Sequence, residues 1–118
     1  MKLIIAIIRP ERLEAVQEAL QAALDEGGHY RHTAQTVDGH GRQEGEVEYF
    51  RGEPVRQSTV QKTQITIGVN DAYVEPAIQA IMRAARTDGG EIGDGKIFVL
   101  PLEECVRIRT GERGGGAI

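Results

Sequence analysis

Apolar positions along this chain fall into two similar repeats, with a polar stretch between them. Lys2–Ile8 is a β-branched run that is apolar on both faces, the pattern of a central strand. Pro10 follows where the first turn of a helix tolerates it. Leu13, Val16, Leu20, Ala23 and Leu24 then recur at helical spacing, and Gly27-Gly28 closes that helix. His29–Asp38 alternates weakly and reads as a second strand. Gly39–Gln61 is polar and charged, is punctuated by Gly39, Gly41, Gly45, Gly52 and Pro54, and keeps no period for long. A loop of about twenty residues in so small a domain is uncommon and is usually functional or disordered. Ile65, Ile67 and Val69 alternate with Gln64, Thr66 and Gly68 as a third strand. Asp71 stands where it would cap a second helix with the buried stripe Val74, Ile78, Ile81, Met82 and Ala85. Pro76 sits late for that cap, so the helix starts nearer Tyr73 or carries an irregular first turn. Lys96–Leu100 and Glu104–Ile108 predict two short final strands separated by Pro101.

Strand–helix–strand, long loop, strand–helix–strand is the order of two split βαβ halves. It predicts an α+β, ferredoxin-like sandwich: an antiparallel sheet with both helices on one face. In so small a domain the other face needs cover from a second subunit, which predicts an oligomer.

Composition narrows the partners. The chain has 118 residues, enough for one domain with a core, and residues 1–118 are read as that domain. Aromatics are 4% with no Trp, so the core is Ile, Val, Leu and Ala. A formal charge of −4 argues against non-specific nucleic-acid binding. The lone Cys105 rules out an intrachain disulfide and fits a reducing cytosol. Leu3–Ile8 is too short for a membrane span, and no signal-peptide pattern follows it, so a cytoplasmic protein is expected.

The last third carries the chemistry. Thr87-Asp88-Gly89-Gly90-Glu91-Ile92-Gly93-Asp94-Gly95-Lys96 is a glycine-rich segment whose backbone N–H groups are free to converge on an anion, with Lys96 adding a point charge. On the expected last strand, Arg107 and Arg109 alternate and so share a face. Two guanidiniums, an ammonium and a bare loop suit a polyphosphate.

These strings resemble the PII signal-transduction family (nitrogen regulatory protein P-II) almost end to end. The likeness is carried by Ile5–Pro10, Gly39-His40-Gly41-Arg42-Gln43 with Gly45, Arg51-Gly52, Ala85-Arg86-Thr87, Ile92–Phe98 and Arg107–Glu112. The resemblance implies a cytoplasmic homotrimer that binds ATP or ADP in clefts between subunits. It makes residues from about 87 to 96 the phosphate-binding B-loop, with Arg107 and Arg109 on the C-terminal strand and tail (104–118) completing the phosphate site. Thr87, Gly93, Asp94, Gly95 and Lys96 are then nucleotide-binding, Arg42 enters from the loop base, and Ile7, Thr33, Gly39 and Gly68 line adenine and ribose. Residues from about 41 to 60 become the T-loop, which inserts into a target transporter or enzyme; a membrane is met only through such a transporter. Mg-ATP would create the site for 2-oxoglutarate, with Gln43 ligating the Mg²⁺ and Lys62 pairing with the distal carboxylate.

The chain also departs from that pattern. Val55 stands where many bacterial members carry a modifiable tyrosine, and Glu53 where some photosynthetic members carry a phosphorylated serine. Regulation by ligand occupancy without covalent modification is therefore expected. Asp88–Glu91 lengthens the B-loop by two residues, which bears on ATP/ADP preference. A specialised paralogue reading adenine nucleotides with another metabolite, such as bicarbonate, is the alternative within the family. An ATP-hydrolysing enzyme is a weaker one: Gly90-x-x-x-x-Gly95-Lys96 imitates a P-loop, but Ile97 replaces the Ser/Thr that would hold Mg²⁺, and the segment follows a helix. No Ser/His/Asp or Cys/His spacing suggests catalysis. An RNA-binding domain of this fold would need exposed aromatics on its central strands, and Lys2–Ile8 has none. His29 and His32 are an odd number of residues apart, so a strand puts them on opposite faces and no protein metal site is expected.

Overall fold

The computed structural model describes residues 1–24, 30–41 and 59–118, and the backbone course of 47–50 and 53–56. Strand β1 is Lys2–Ile8, helix α1 Leu13–Leu24, β2 His32–His40, β3 Val47–Phe50, β4 Glu53–Arg56, β5 Thr59–Val69, α2 Val74–Ala85 and β6 Gly95–Pro101. Four strands form one sheet in the order β2-β5-β1-β6, with every neighbouring pair antiparallel. That is the ferredoxin-like order the strand and helix pattern predicts, with the most apolar strand in the interior.

One face of the sheet meets the helices. Ile4, Ala6 and Ile8 of β1 and Ile65, Ile67 and Val69 of β5 are buried against Val16, Leu20 and Leu24 of α1 and Ala77, Ala80, Ile81 and Ala85 of α2. The alanines of α2 let its backbone lie close to the sheet. The helix is therefore rotated relative to the predicted stripe. Ile78 is only half-buried and Met82 is 38% exposed, while Ala77 and Ala80 take the innermost positions. Both larger side chains instead line a groove beside the 87–95 segment. On the opposite face Leu3 and Ile5 lie in register with Leu100 and Phe98. Phe98 is 50% and Leu100 42% exposed, leaving an apolar face that the described residues do not cover.

Beyond the α2 stripe, four expectations change. The second strand runs from His32 to His40 rather than from His29 to Asp38, and His29 lies outside the described residues. The segment between the second and third strands has strand structure of its own: β3 and β4 pair antiparallel from Val47↔Arg56 to Phe50↔Glu53. Pro54 does not prevent this, because in a two-stranded ribbon each strand has a free edge where a missing N–H costs nothing. Asp71 does not cap α2 with its side chain. A 3-10 turn, Asp71–Tyr73, leads into the helix, and the Asp71 carboxylate accepts from the Met1 ammonium at 2.8 Å. Pro76 then falls in the first turn of α2, where its missing N–H would have no helical partner.

The fourth correction concerns the C-terminal segment. Glu104–Ile108 is not a strand; Val106↔Arg113 forms a single bridge, and the chain reverses between them. Gly111 N–H donates to Arg107 O at 2.8 Å and Arg107 N–H to Glu112 O at 2.9 Å. The left-handed Gly111, with φ of 72°, permits the reversal. Arg107 and Arg109 therefore flank the start of a turn instead of sharing one pleated face, and Ile108 between them is fully exposed at 100%.

Candidate functional site

Residues 87–94 connect the end of α2 to β6, and Asp94 organises them. Its Oδ1 accepts from Thr87 Oγ1 at 2.6 Å and from Arg9 Nε at 3.1 Å. Its Oδ2 accepts from the Thr87 N–H at 3.1 Å and the Glu91 N–H at 2.9 Å. Both oxygens thus close the loop on itself. Partial burial pushes the Asp94 carboxyl up, but the hydrogen bonds from Thr87, Glu91 and Arg9 outweigh it and hold it well below the usual carboxylate range. A carboxyl depressed in the fold stabilises fully above its ordinary value of 3.8, and that stability is lost as pH falls from there through the depressed value. Asp94→Asn is accordingly expected to lower stability by a constant amount between about pH 5 and 8. The gap to wild type should narrow on further acidification, as read from urea midpoints across pH.

Arg9, directly after β1, and Arg12 in the following turn brace the same region. Arg9 Nη2 donates to Ile92 O at 3.0 Å, and Arg12 Nε to Ala84 O at 2.8 Å, supplying a cation to the carboxyl end of α2. From β5, Lys62 Nζ donates to Gly93 O at 2.6 Å. Lys62 is 8% exposed; burial, and then the Arg9 charge, push its ammonium below the ordinary lysine value. Its stem fills the space beside Gly39, where an added Cβ would sit 2.8 Å from Lys62 Cγ.

A cleft of about 510 Å³ opens between this loop and the far ends of β2 and β5. Ile7, Gly39, Lys62, Gly93, Asp94, Gly95 and Lys96 all line it, so the fold brings together seven of the residues singled out in the sequence. Thr87 stands behind it through Asp94. The roles of Arg42 and Gln43 fall outside the described residues.

The remaining four residues lie elsewhere. Thr33 is in register with Thr66 and Gly68 with Leu3, on the open sheet face and progressively farther from the cleft. The Arg107 segment is tied down at the end of the sheet remote from Lys96. Leu102 N–H donates to Met1 O and Asn70 Nδ2 to Gly115 O, while Arg107 donates to Gly116 O and pairs with Glu112 at 2.9 Å. Lys96 sits opposite Ile7 and Pro101 opposite Lys2. At about 3.3 Å per strand residue, Lys96 and the Pro101 end from which the arginine segment leaves are roughly 17 Å apart within one chain.

Arg9 was not among the candidate residues. Its signal in the sequence was a cation placed directly after a buried strand, which must find acceptors close by. Among the described residues no group of His, Cys, Asp and Glu could hold a metal ion, and no helix is long and apolar enough to cross a membrane.

The fold is a ferredoxin-like α+β sandwich with a glycine-lined cleft at one end of its sheet. The family model for nitrogen regulatory protein P-II matches residues 1–112. The chain is 46% identical over its whole length to nitrogen regulatory protein GlnK1 of Methanosarcina mazei, covering 97% of that protein. It is 48% identical to nitrogen regulatory protein P-II 2 of Methanothermobacter thermautotrophicus, again over the whole chain and 97% of the relative. Nitrogen regulatory protein P-II of Rhodospirillum rubrum is 49% identical, with both chains fully covered. The chain belongs to the P-II family, and is thereby a signal-transduction regulator of nitrogen metabolism.

Proposed function

We propose that this regulator is a cytoplasmic homotrimer that senses ATP and ADP in three clefts between subunits. Mg-ATP would build a site for 2-oxoglutarate, and the segment around β3 and β4 would act on a target transporter or enzyme. The observation that carries the nucleotide reading is the division of the site. A glycine-lined cleft with Lys96 stands at one end of the sheet and the Arg107–Arg109 turn at the other. A neighbouring copy packed on the apolar face of Leu3, Ile5, Phe98 and Leu100 would bring its arginine turn to this cleft, along with its Thr33 and Gly68. A closed ring makes three such sites equivalent.

The cleft suits a nucleotide chemically. Gly39, Gly41, Gly93 and Gly95 put backbone on its wall and Lys96 supplies positive charge. Of its two carboxylates, Asp94 is committed to Thr87, Glu91 N–H and Arg9, and Glu91 Oε2 accepts from Thr87 Oγ1 and lies 3.8 Å from Arg9. Lys62 is at hand for a carboxylate, and Gln43 would hold the Mg²⁺ carried by ATP. Signalling then needs only differential binding, since Val55 and Glu53 offer no hydroxyl for modification. Titration calorimetry with ATP, ADP, 2-oxoglutarate and bicarbonate, with and without Mg²⁺, tests this. ATP and ADP should bind, and 2-oxoglutarate should bind only with Mg-ATP. Bicarbonate in place of 2-oxoglutarate would favour the specialised-paralogue reading, and absence of nucleotide binding would refute the proposal.

A further inference from the structure

Two cations grip consecutive carbonyls of the glycine loop. Arg9 holds Ile92 O at 3.0 Å and Lys62 holds Gly93 O at 2.6 Å. Both are withdrawn from solvent: the Arg9 side chain is 15% exposed and Lys62 8%. The two peptide groups they fix are those on either side of Gly93, whose φ is 100°. Glycine imposes little preference on its flanking peptides, so the orientation here is decided by what the carbonyls meet. In a trans peptide the C=O and N–H point in opposite directions, and no cis bond occurs among the described residues. With the Ile92 carbonyl drawn to Arg9, the Gly93 N–H points away from Arg9, and Gly93 is part of the cleft wall.

We propose that Arg9 and Lys62 are positioning residues of the nucleotide cleft, which hold the peptides around Gly93 so that its N–H is presented to a phosphate oxygen. This rests on the nucleotide reading above and gives Lys62 a role before any effector arrives. An ammonium has three donors, so Lys62 can keep the Gly93 carbonyl while also taking a carboxylate. Nucleotide and effector would then meet at one nitrogen, and their mutual influence on affinity would be reciprocal.

The test is nucleotide titration without 2-oxoglutarate on wild type, Lys62→Met and Arg9→Gln. Lys62→Met keeps the stem that packs on Gly39 and removes only the ammonium. Both variants should bind ATP and ADP about tenfold or more weakly. The ratio to wild type should persist at about 1 M salt, where the screening length is roughly 3 Å and a through-space charge effect is suppressed. In ¹⁵N spectra of the wild type, which needs no variant to fold, the Gly93 amide should move on addition of Mg-ATP. Wild-type affinity in Lys62→Met, a deficit that vanishes in salt, or an unmoved Gly93 amide in nucleotide-bound wild type would each overturn the positioning role while leaving the nucleotide reading intact. A wild type that binds no nucleotide would overturn both.

Discussion

Gly95→Ala is expected to destabilise the protein by about 2–6 kcal/mol, a large effect for one added methyl group. Gly95 opens β6 with φ at 112°, a region closed to side chains, and faces Ile8 across the sheet. A Cβ there would lie 1.7 Å from Ile7 O and 2.8 Å from Ile7 C. Those atoms belong to the backbone of a central strand paired on both sides, so they cannot retreat as a flexible side chain would. Relief requires the β1–β6 pairing to open at the very end that carries the cleft. Against a typical total stability of 5–15 kcal/mol, roughly, the loss is a large share. Gly41→Ala is the control: nothing lies within 4 Å of its added Cβ, and its backbone is not left-handed. Urea denaturation should show a large drop in midpoint for Gly95→Ala and almost none for Gly41→Ala. Equal midpoints would mean that β6 does not approach β1 as described.

The second large effect is on binding. Replacing both Arg107 and Arg109 by alanine is expected to weaken ATP and ADP by about a hundredfold or more, since a charge-assisted hydrogen bond contributes roughly 1.5–3 kcal/mol. Arg109→Ala alone should cost about ten- to a hundredfold with little change in stability, because the residue sits exposed in a turn. Arg107 differs. Its guanidinium already meets Glu112 and Gly116 O, so its removal also loosens the C-terminal turn. Calorimetry paired with thermal unfolding separates the two. Loss of affinity at unchanged midpoint for Arg109→Ala is the expected signature, and full affinity in the double variant would remove the arginines from the site.

What the sequence disclosed and what it hid follow from the same physics. The β-branched Lys2–Ile8 run and the spacing of Leu13, Val16, Leu20 and Leu24 report burial directly, so β1, α1 and the ferredoxin-like order were legible. So was the glycine loop, whose residues do line the cleft. Periodicity reports which face is buried, not how closely a helix lies on a sheet. Hence Ala77 and Ala80 took the places assigned to Ile78 and Met82. A short apolar alternation such as Val106, Ile108 looks like a strand wherever it occurs, but a strand needs a partner. Here the chain turns back at Gly111 after a single bridge. Side-chain closures over several residues, such as Asp94 onto Thr87, Glu91 and Arg9, leave no periodic trace. The four hydrogen bonds that Asp94 accepts from Thr87, Glu91 and Arg9 were therefore not foreseen.

The claim that each cleft draws on two copies of the chain has one direct test. Lys96→Ala protomers lack the cleft half of the phosphate site, and Arg107→Ala/Arg109→Ala protomers lack the turn half, so neither alone should bind ATP well. Mixed by co-expression or by unfolding and refolding together, they should regain wild-type affinity in about a quarter of the clefts, where an intact loop meets a neighbour's intact arginines by random assortment. Calorimetric stoichiometry near that fraction is the predicted result. A mixture that binds no better than its two parents, in particles shown to contain both, would contradict the account.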